Sequence, residues 1–412
     1  MSVLRPPPEG TVSAKWSGLP EAMGNDSPMA KDMLTQVDLH GLCSIASSLR
    51  DGMNCTISDK CACGSYNLIY EIIFDDGVSW IARLRSTSPM QAVSQEVVFE
   101  SPTYKQHIME SEITTMKYVR EHSKIPVPEI YAFDTTSENP AKLPYILMEC
   151  IHGWRTPPRL QELPDEAIAK VLDQLANVLL QLSTLQFPKI GYLHKDPNHG
   201  VRLDAMLERS GKRVGPFSSA PEYYNWRTSQ PLNRSNDSPV DLEDAHFHSY
   251  LYRLALPFLN DGFRSNGPFP LAHNHFGVHN ALFDESWQLV GVIGWSGARV
   301  VPWESFAPGG VMMGPRLRHE FSDDIYRYSC DKQRVFLECV EQQEQKPPNQ
   351  HGISVYSMLG SPITKLAQCI ESQDIAYLRT KYIRELCSLL FGPEMDVEML
   401  RKSICKSELF RG

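Results

Sequence analysis

The hydrophobic pattern of the chain changes near residue 150 from short strand-like runs to long helical stripes. Residues 67–74 and 78–84 are strand-like runs joined by Asp75-Asp76-Gly77, a sequence typical of a β-hairpin turn. Residues 165–186 instead place apolar side chains at helical spacing, which predicts one long amphipathic helix. The change predicts an α+β protein in which a small β-rich lobe precedes a larger helical lobe.

The predicted domain limits follow the same change in pattern. Residues 1–30 are rich in proline, glycine and serine without apolar periodicity, so we interpret them as a loose N-terminal arm. Residues 31–150 form the predicted N-terminal lobe, and residues 151–412 form the predicted helical C-terminal lobe. A cleft between two such lobes is a natural binding site, so we expect a small-molecule ligand there.

The composition excludes several classes of protein. The 412-residue chain has a net charge of −9, whereas a dedicated nucleic-acid binder usually carries a clustered basic surface. No apolar stretch reaches the roughly 18 residues of a membrane span, so no membrane-spanning helix is predicted. Ten cysteines without a CxxC pair favour reduced thiols over a disulfide scaffold, which predicts a cytoplasmic protein. The oligomeric state stays unknown.

Four features of the predicted N-terminal lobe occur in an order that matches one known fold. Residues 63–70 contain Gly-Ser-Tyr-Asn at the start of the first strand-like run, and Arg83 lies near the end of the next run. Glu112 lies on the next predicted helix, and Glu149 lies at the end of a further strand-like run. This order resembles the aminoglycoside phosphotransferase and choline kinase branch of the protein-kinase-like fold, in particular its fungal members. The resemblance implies that residues 63–70 form the nucleotide loop, that Arg83 pairs with Glu112, and that Arg83, Glu112 and Glu149 contact a ligand.

Two further segments match the catalytic motifs of that family except at two positions. Residues 273–280 read His-Asn-His-Phe-Gly-Val-His-Asn, where the family pattern is close to His-Gly-Asp-Leu-His-x-x-Asn. Residues 292–295 read Val-Ile-Gly-Trp, where the family has Val-Ile-Asp-Trp. The resemblance implies that His275 replaces the catalytic aspartate and that Gly294 replaces a magnesium-binding aspartate. Asn280 and Trp295 match the pattern, and Trp295 is assigned to the ligand site.

These replacements remove groups that phosphoryl transfer needs, because the two aspartates orient the acceptor and hold magnesium. We therefore expect neither Mg-ATP as a cofactor nor a metal site. A histidine with an ordinary pKa near 6.5 can still transfer protons at neutral pH, so His275 is the predicted catalytic residue. Asn280 and Arg83 are predicted to assist it by donating hydrogen bonds to a carbonyl or enolate oxygen.

Three functions remain open at this stage. The first is an ATP-independent acid–base enzyme, such as a cyclase or isomerase in fungal specialised metabolism. The second is a pseudokinase that binds a ligand or partner without chemistry. The third is a residual small-molecule phosphotransferase in which Asp284 supplies the missing carboxylate. Tyr223 and Trp226 lie where the family builds its acceptor pocket, so they are either ligand contacts or packing residues.

Overall fold

The structure is a computed structural model, and its described part divides into two compact units. The first unit holds the described residues up to Pro164 together with Leu207–Lys212 and His279–Ser296, and the second unit holds the remainder. The structure describes residues 28–63, 67–87, 90–91, 97–98, 100–155, 163–198, 200–208, 210–230, 242–260, 262–306, 323–346, 352–371 and 376–406.

The elements alternate between strands and helices in the first unit and become mainly helical towards the C-terminus. The helices are α1 (Pro28–Gln36), α2 (Leu39–Ser48), α3 (Pro102–His122), α4 (Asp165–Thr184), α5 (Ala220–Ser229), α6 (Leu242–Asn260), α7 (Asp323–Glu344), α8 (Val355–Leu359), α9 (Pro362–Glu371), α10 (Ala376–Phe391) and α11 (Val397–Lys406). The strands are β1 (Cys55–Cys63), β2 (Asn67–Phe74), β3 (Ser79–Arg85), β4 (Met90–Gln91), β5 (Val97–Val98), β6 (Ile130–Asp134), β7 (Tyr145–Glu149), β8 (Trp154–Arg155), β9 (Gln186–Phe187), β10 (Tyr192–Asp196), β11 (Gly200–Asp204), β12 (Met206–Leu207), β13 (Arg213–Val214), β14 (Phe269–Ala272), β15 (Ala281–Phe283), β16 (Leu289–Val292) and β17 (Arg299–Val300). Val278–Asn280 and Trp303–Ser305 form 3₁₀ turns.

A five-stranded antiparallel sheet, in the order β1-β2-β3-β7-β6, forms the base of the first unit. The predicted hairpin is confirmed, since β2 and β3 pair from Asn67 opposite Arg85 to Ile73 opposite Ser79. Side chains alternate across a strand, so one face of the sheet is apolar and packs on α1 and α2. The buried residues of this core include Met33, Leu42, Leu68, Tyr70, Ile72, Trp80, Ala82 and Leu84. Arg83 therefore belongs to the opposite face.

A second, smaller sheet in this unit carries the segment that matches the downstream family motif. Strand β15 pairs with β16 and also with β8, where Leu282 lies opposite Arg155 and Phe283 opposite Trp154. The β15–β16 hairpin is thereby tied to residues that precede α4. The assignment of all residues after 150 to one lobe stays a prediction, and the contacts group this hairpin with the first unit.

Helix α4 organises the second unit. The predicted helix 165–186 is observed as Asp165–Thr184, and its apolar stripe is buried. Helix α7 packs against α4, where Gln343 donates a 2.7 Å hydrogen bond to Asp173. Strand β14 lies between β17 and β9 in a three-stranded sheet, and it leads directly into the loop that carries His275.

Some sequence predictions fall outside the described part of the chain. These are residues 1–27 of the predicted arm and residues 64–66 of the predicted nucleotide loop. Residues 28–30, the last of the predicted arm, begin α1. Among the described helices, none is both long and apolar enough to cross a bilayer.

Candidate active site

The predicted ion pair between Arg83 and Glu112 is confirmed in the first unit. Arg83 Nη1 lies 2.5 Å from Glu112 Oε1, and the Glu112 side chain is 1% exposed. The register of the sheet places Arg83 between Ile69 and Ile146, while α3 supplies Glu112. Helix α3 begins at a serine cap, because the Ser101 side chain accepts a hydrogen bond from the Tyr104 backbone. A ligand contact for the Arg83–Glu112 pair stays a prediction.

Glu149 has structural partners at the end of β7. Its carboxylate accepts a 3.0 Å hydrogen bond from the Glu129 backbone and lies 3.3 Å from Arg120 Nη1. Arg120 also donates to the Val127 carbonyl, so these contacts connect α3 to the segment that precedes β6. The side chain is about two-fifths exposed, and its predicted ligand contact remains untested.

Asn280 and Gly294 lie next to each other at the open end of the β15–β16 hairpin. The Ile293 backbone donates a 2.8 Å hydrogen bond to the Asn280 carbonyl. Gly294 has a φ of +79°, and a Cβ built on it would lie 2.6 Å from Asn280 Oδ1. The Asn280 carboxamide therefore fills the volume in which a side chain at position 294 would begin. The position favours glycine for two reasons, its positive φ and this close approach.

Trp295 is the next residue, and it is fully buried in the first unit. Its indole Nε1 donates a 2.8 Å hydrogen bond to the Val292 carbonyl, which closes the chain around Gly294. The side chain thus has a packing role, and the ligand contact assigned from the resemblance stays a prediction.

Asp284 closes the turn at the other end of the same hairpin. Its Oδ1 accepts hydrogen bonds of 2.8 Å from the Ser286 backbone, the Ser286 hydroxyl and the Gln288 backbone. Strand β15 separates Asp284 from Asn280, and three strand residues span about 10 Å. Asp284 is therefore a turn residue that lies away from Gly294.

His275 lies in the second unit, in the loop after β14. It is exposed, whereas His273 is buried. The surrounding protein atoms lower the pKa of His275 below its ordinary value of 6.5, and the charge of Arg299 lowers this pKa further. The imidazole is consequently neutral at pH 7, the form in which it can accept a proton.

A buried network around Glu371 lies behind this loop, and the sequence analysis missed it. Arg299 connects the two, since its Nη1 donates to Asn274 Oδ1 at 2.9 Å and its Nη2 lies 3.2 Å from Glu371 Oε2. Glu371 Oε1 accepts hydrogen bonds from the hydroxyls of Tyr223, at 2.7 Å, and Ser305, at 2.8 Å. Arg299, Ser305 and Glu371 belong to none of the motifs found in the sequence.

The two aromatic residues proposed for the acceptor pocket differ in exposure. Tyr223 is fully buried, and its pKa is raised by burial and by the charge of Glu371. Trp226 is half-buried and packs 5.2 Å from the Phe217 ring, measured between ring centroids. These positions agree with the packing alternative for Tyr223, and a ligand contact for either residue stays a prediction.

Comparison with known protein families identifies the family to which the chain belongs. A sequence model of the phosphotransferase enzyme family (APH) matches residues 62–304, which is more than half of the chain. The chain belongs to the phosphotransferase enzyme family. The matched range contains the Arg83–Glu112 pair, the His275 loop and the Asn280–Gly294 contact, so the resemblance stated from these motifs is confirmed.

A solved structure supports the same assignment of fold, and a second one is similar to a lesser degree. A crystal structure of a candidate aminoglycoside phosphotransferase from Ralstonia eutropha has a TM-score of 0.50 and 12% identity, covering 87% of this chain and 94% of that chain. The aminoglycoside phosphotransferase APH(4)-Ia has a TM-score of 0.47 and 13% identity, covering 87% of this chain and all of that chain. At such identities the first match shows the fold alone. The predicted α+β, kinase-like fold is thereby confirmed.

Curated relatives are fungal, and the matches span less than a third of their length. A subtelomeric hrmA-associated cluster protein of Aspergillus fumigatus is 30% identical over 29% of this chain and 28% of that protein. Altered inheritance of mitochondria protein 9 of Yarrowia lipolytica, named as mitochondrial, is 26% identical over 43% of this chain and 30% of that protein. The mitochondrial relatives contradict the cytoplasmic location predicted from the cysteines, because a reduced thiol content does not distinguish these compartments.

The Asn280–Gly294 contact predicts a specific cost for any side chain at position 294. Gly77, in the β2–β3 turn, is a matched control: it has a φ of +82°, and a Cβ there meets no atom within 4 Å. Gly77→Ala measures the cost of the positive φ alone, about 1–2 kcal/mol. We expect Gly294→Ala to lower the free energy of unfolding by at least about 1 kcal/mol more, because the Asn280 carboxamide must move.

Urea denaturation measures these differences in the full chain. The variants compared are Gly77→Ala, Gly294→Ala and the double variant Gly294→Ala/Asn280→Ala. Removing the carboxamide should restore part of the extra loss. An equal cost at Gly77 and Gly294 would show that the Asn280 contact does not restrict position 294.

Proposed function

We propose that this member of the phosphotransferase family is an ATP-independent enzyme that transfers protons on a small organic substrate, as in a cyclisation or isomerisation. The observation that supports this proposal is the position, exposure and lowered pKa of His275. By its motif it occupies the position of the family's catalytic aspartate, and it is exposed with a lowered pKa. A lowered pKa favours the neutral imidazole, which can accept a proton as a general base does. The protonated form can then return the proton as a general acid.

The residues that would hold magnesium do not fit the ion. Magnesium prefers carboxylate and water oxygens in octahedral geometry. Gly294 supplies no side chain, and Asn280, a neutral ligand, has its carboxamide packed against Gly294. Asp284 is engaged in its own turn. This disagreement argues against Mg-ATP chemistry and against the residual phosphotransferase.

The relatives suggest a setting for the proposed reaction. The Aspergillus fumigatus relative is named as a member of a cluster, which supports a role in specialised metabolism. The relatives named as mitochondrial proteins make the mitochondrion the proposed location. Fractionation of cells that express the tagged full chain tests this location, and recovery outside the mitochondrial fraction would contradict it.

A non-catalytic binding protein is the second candidate, and one observation favours it. The buried Arg83–Glu112 pair keeps a guanidinium in a fixed place, where it can bind an anionic ligand without further chemistry. The two candidates differ in whether His275 is needed for turnover.

Replacement of His275 tests the proposed function directly. Strains that lack the gene are complemented with the wild type, His275→Ala or His275→Phe, and their metabolites are compared by mass spectrometry. His122→Ala, at an exposed position near the end of α3, is the control. We expect the His275 variants to form product at least about 10²-fold more slowly and to accumulate its precursor, because a positioned acid–base group contributes this much.

Thermal unfolding confirms that each variant is folded. If both His275 variants fold normally and leave the metabolites unchanged, His275 has no catalytic role and the binding-protein candidate replaces this proposal.

A further inference from the structure

We infer that Arg299 is a positioning residue that holds Asn274, and through it the loop carrying His275, in one conformation. The inference deepens the proposed function and rests on it for its chemical meaning. It comes from contacts within the second unit alone. Arg299 donates to Asn274 Oδ1 at 2.9 Å, and Asn274 is the residue immediately before His275.

Asn274 has an unusual backbone conformation that needs support. Its φ is +72°, in the left-handed region that non-glycine residues rarely adopt, although asparagine tolerates it better than most. The side chain occupies the space that a side chain at Gly297 would enter, since a Cβ built there would lie 2.9 Å from Asn274 Nδ2. The hydrogen bond from Arg299 therefore supplies a directional contact that holds this exposed carboxamide in place.

Arg299 is itself fixed by the Glu371 network. Its guanidinium lies 3.2 Å from Glu371, and both side chains are about 15% exposed. Glu371 is held by the hydroxyls of Tyr223 and Ser305, and its backbone carbonyl accepts a 2.9 Å hydrogen bond from Arg227. These contacts keep the Glu371 carboxylate, and with it the Arg299 guanidinium, in one place.

The same arrangement sets the charge that acts on His275. The surrounding protein atoms disfavour protonation of the imidazole, and the charge of Arg299 acts in the same direction. Glu371 pairs with Arg299 and offsets part of its field, while His273, two residues before His275, is buried. Position and charge are separable, because a lysine at 299 would keep the charge and lose the forked donor.

Nuclear magnetic resonance of the full chain, labelled in its histidines, tests this inference. Comparison with His275→Phe assigns the His275 resonance, and the other 12 of the 13 histidines serve as internal controls. Asn274→Gly removes the carboxamide and tolerates the positive φ. Arg299→Gln removes charge and donor, Arg299→Lys keeps the charge, and Arg334→Gln on the exposed face of α7 is the matched control.

Wild type and Arg334→Gln should give one narrow His275 resonance with a low titration midpoint. Asn274→Gly and Arg299→Lys should broaden or split that resonance, because the loop is no longer held. Arg299→Gln should in addition raise the midpoint. If Arg299→Gln does not fold, Asn274→Gly decides, since Asn274 is exposed.

An unchanged His275 resonance in folded Asn274→Gly and Arg299→Lys would overturn the inference and leave Arg299 a purely structural residue. This NMR measurement does not depend on whether the protein catalyses a reaction. Unchanged metabolites in the His275 variants would refute the proposed function, whereas the resonances would still report whether Arg299 holds the loop.

Discussion

The pairing of Arg299 with Glu371 connects parts of the second unit that are far apart in the sequence. Glu371 ends α9, Arg299 begins β17, and Tyr223 and Ser305 lie on α5 and a 3₁₀ turn. Glu371 also lies 3.6 Å from Arg227, so removal of its charge would leave two largely buried guanidinium groups without this carboxylate, which is strongly destabilising. The loop after β14 depends on this pair because the Asn274 side chain is anchored to Arg299. The position of the exposed His275 therefore depends on a largely buried ion pair through the neighbouring Asn274.

The first unit contains one ion pair that the family motif predicts and one position, 294, that departs from the motif quoted above. The Arg83–Glu112 pair is present with a 2.5 Å contact, so the strand and helix that supply the family's cation pair keep their relation. At position 294 the positive φ and the adjacent Asn280 carboxamide leave no volume for an added carboxylate without movement. The surrounding structure thus favours glycine at position 294, which supports the proposal that magnesium is not bound there.

Local patterns predicted a large part of this structure. The β2–β3 hairpin, helix α4 and the Arg83–Glu112 pair follow from turn chemistry, helical periodicity and a family motif. The Glu371 network could not be predicted, because its partners are 148 and 72 residues away and no periodicity connects them. The hairpin of β10 and β11 could not be predicted either, because polar turn residues dominate the sequence of its two short strands. The burial of Tyr223 could not be predicted either, because it depends on packing against residues that are distant in the sequence.

The central claim is that this kinase-like fold has lost its magnesium–nucleotide site while keeping an acid–base group. Calorimetric titration of the full chain with ATP, once with magnesium and once with a chelator, tests this claim most directly. The account predicts that magnesium does not strengthen the binding of ATP and that no phosphate is transferred to an acceptor. Micromolar binding of ATP that requires magnesium, equivalent to about −8 kcal/mol, together with phosphate transfer, would contradict it.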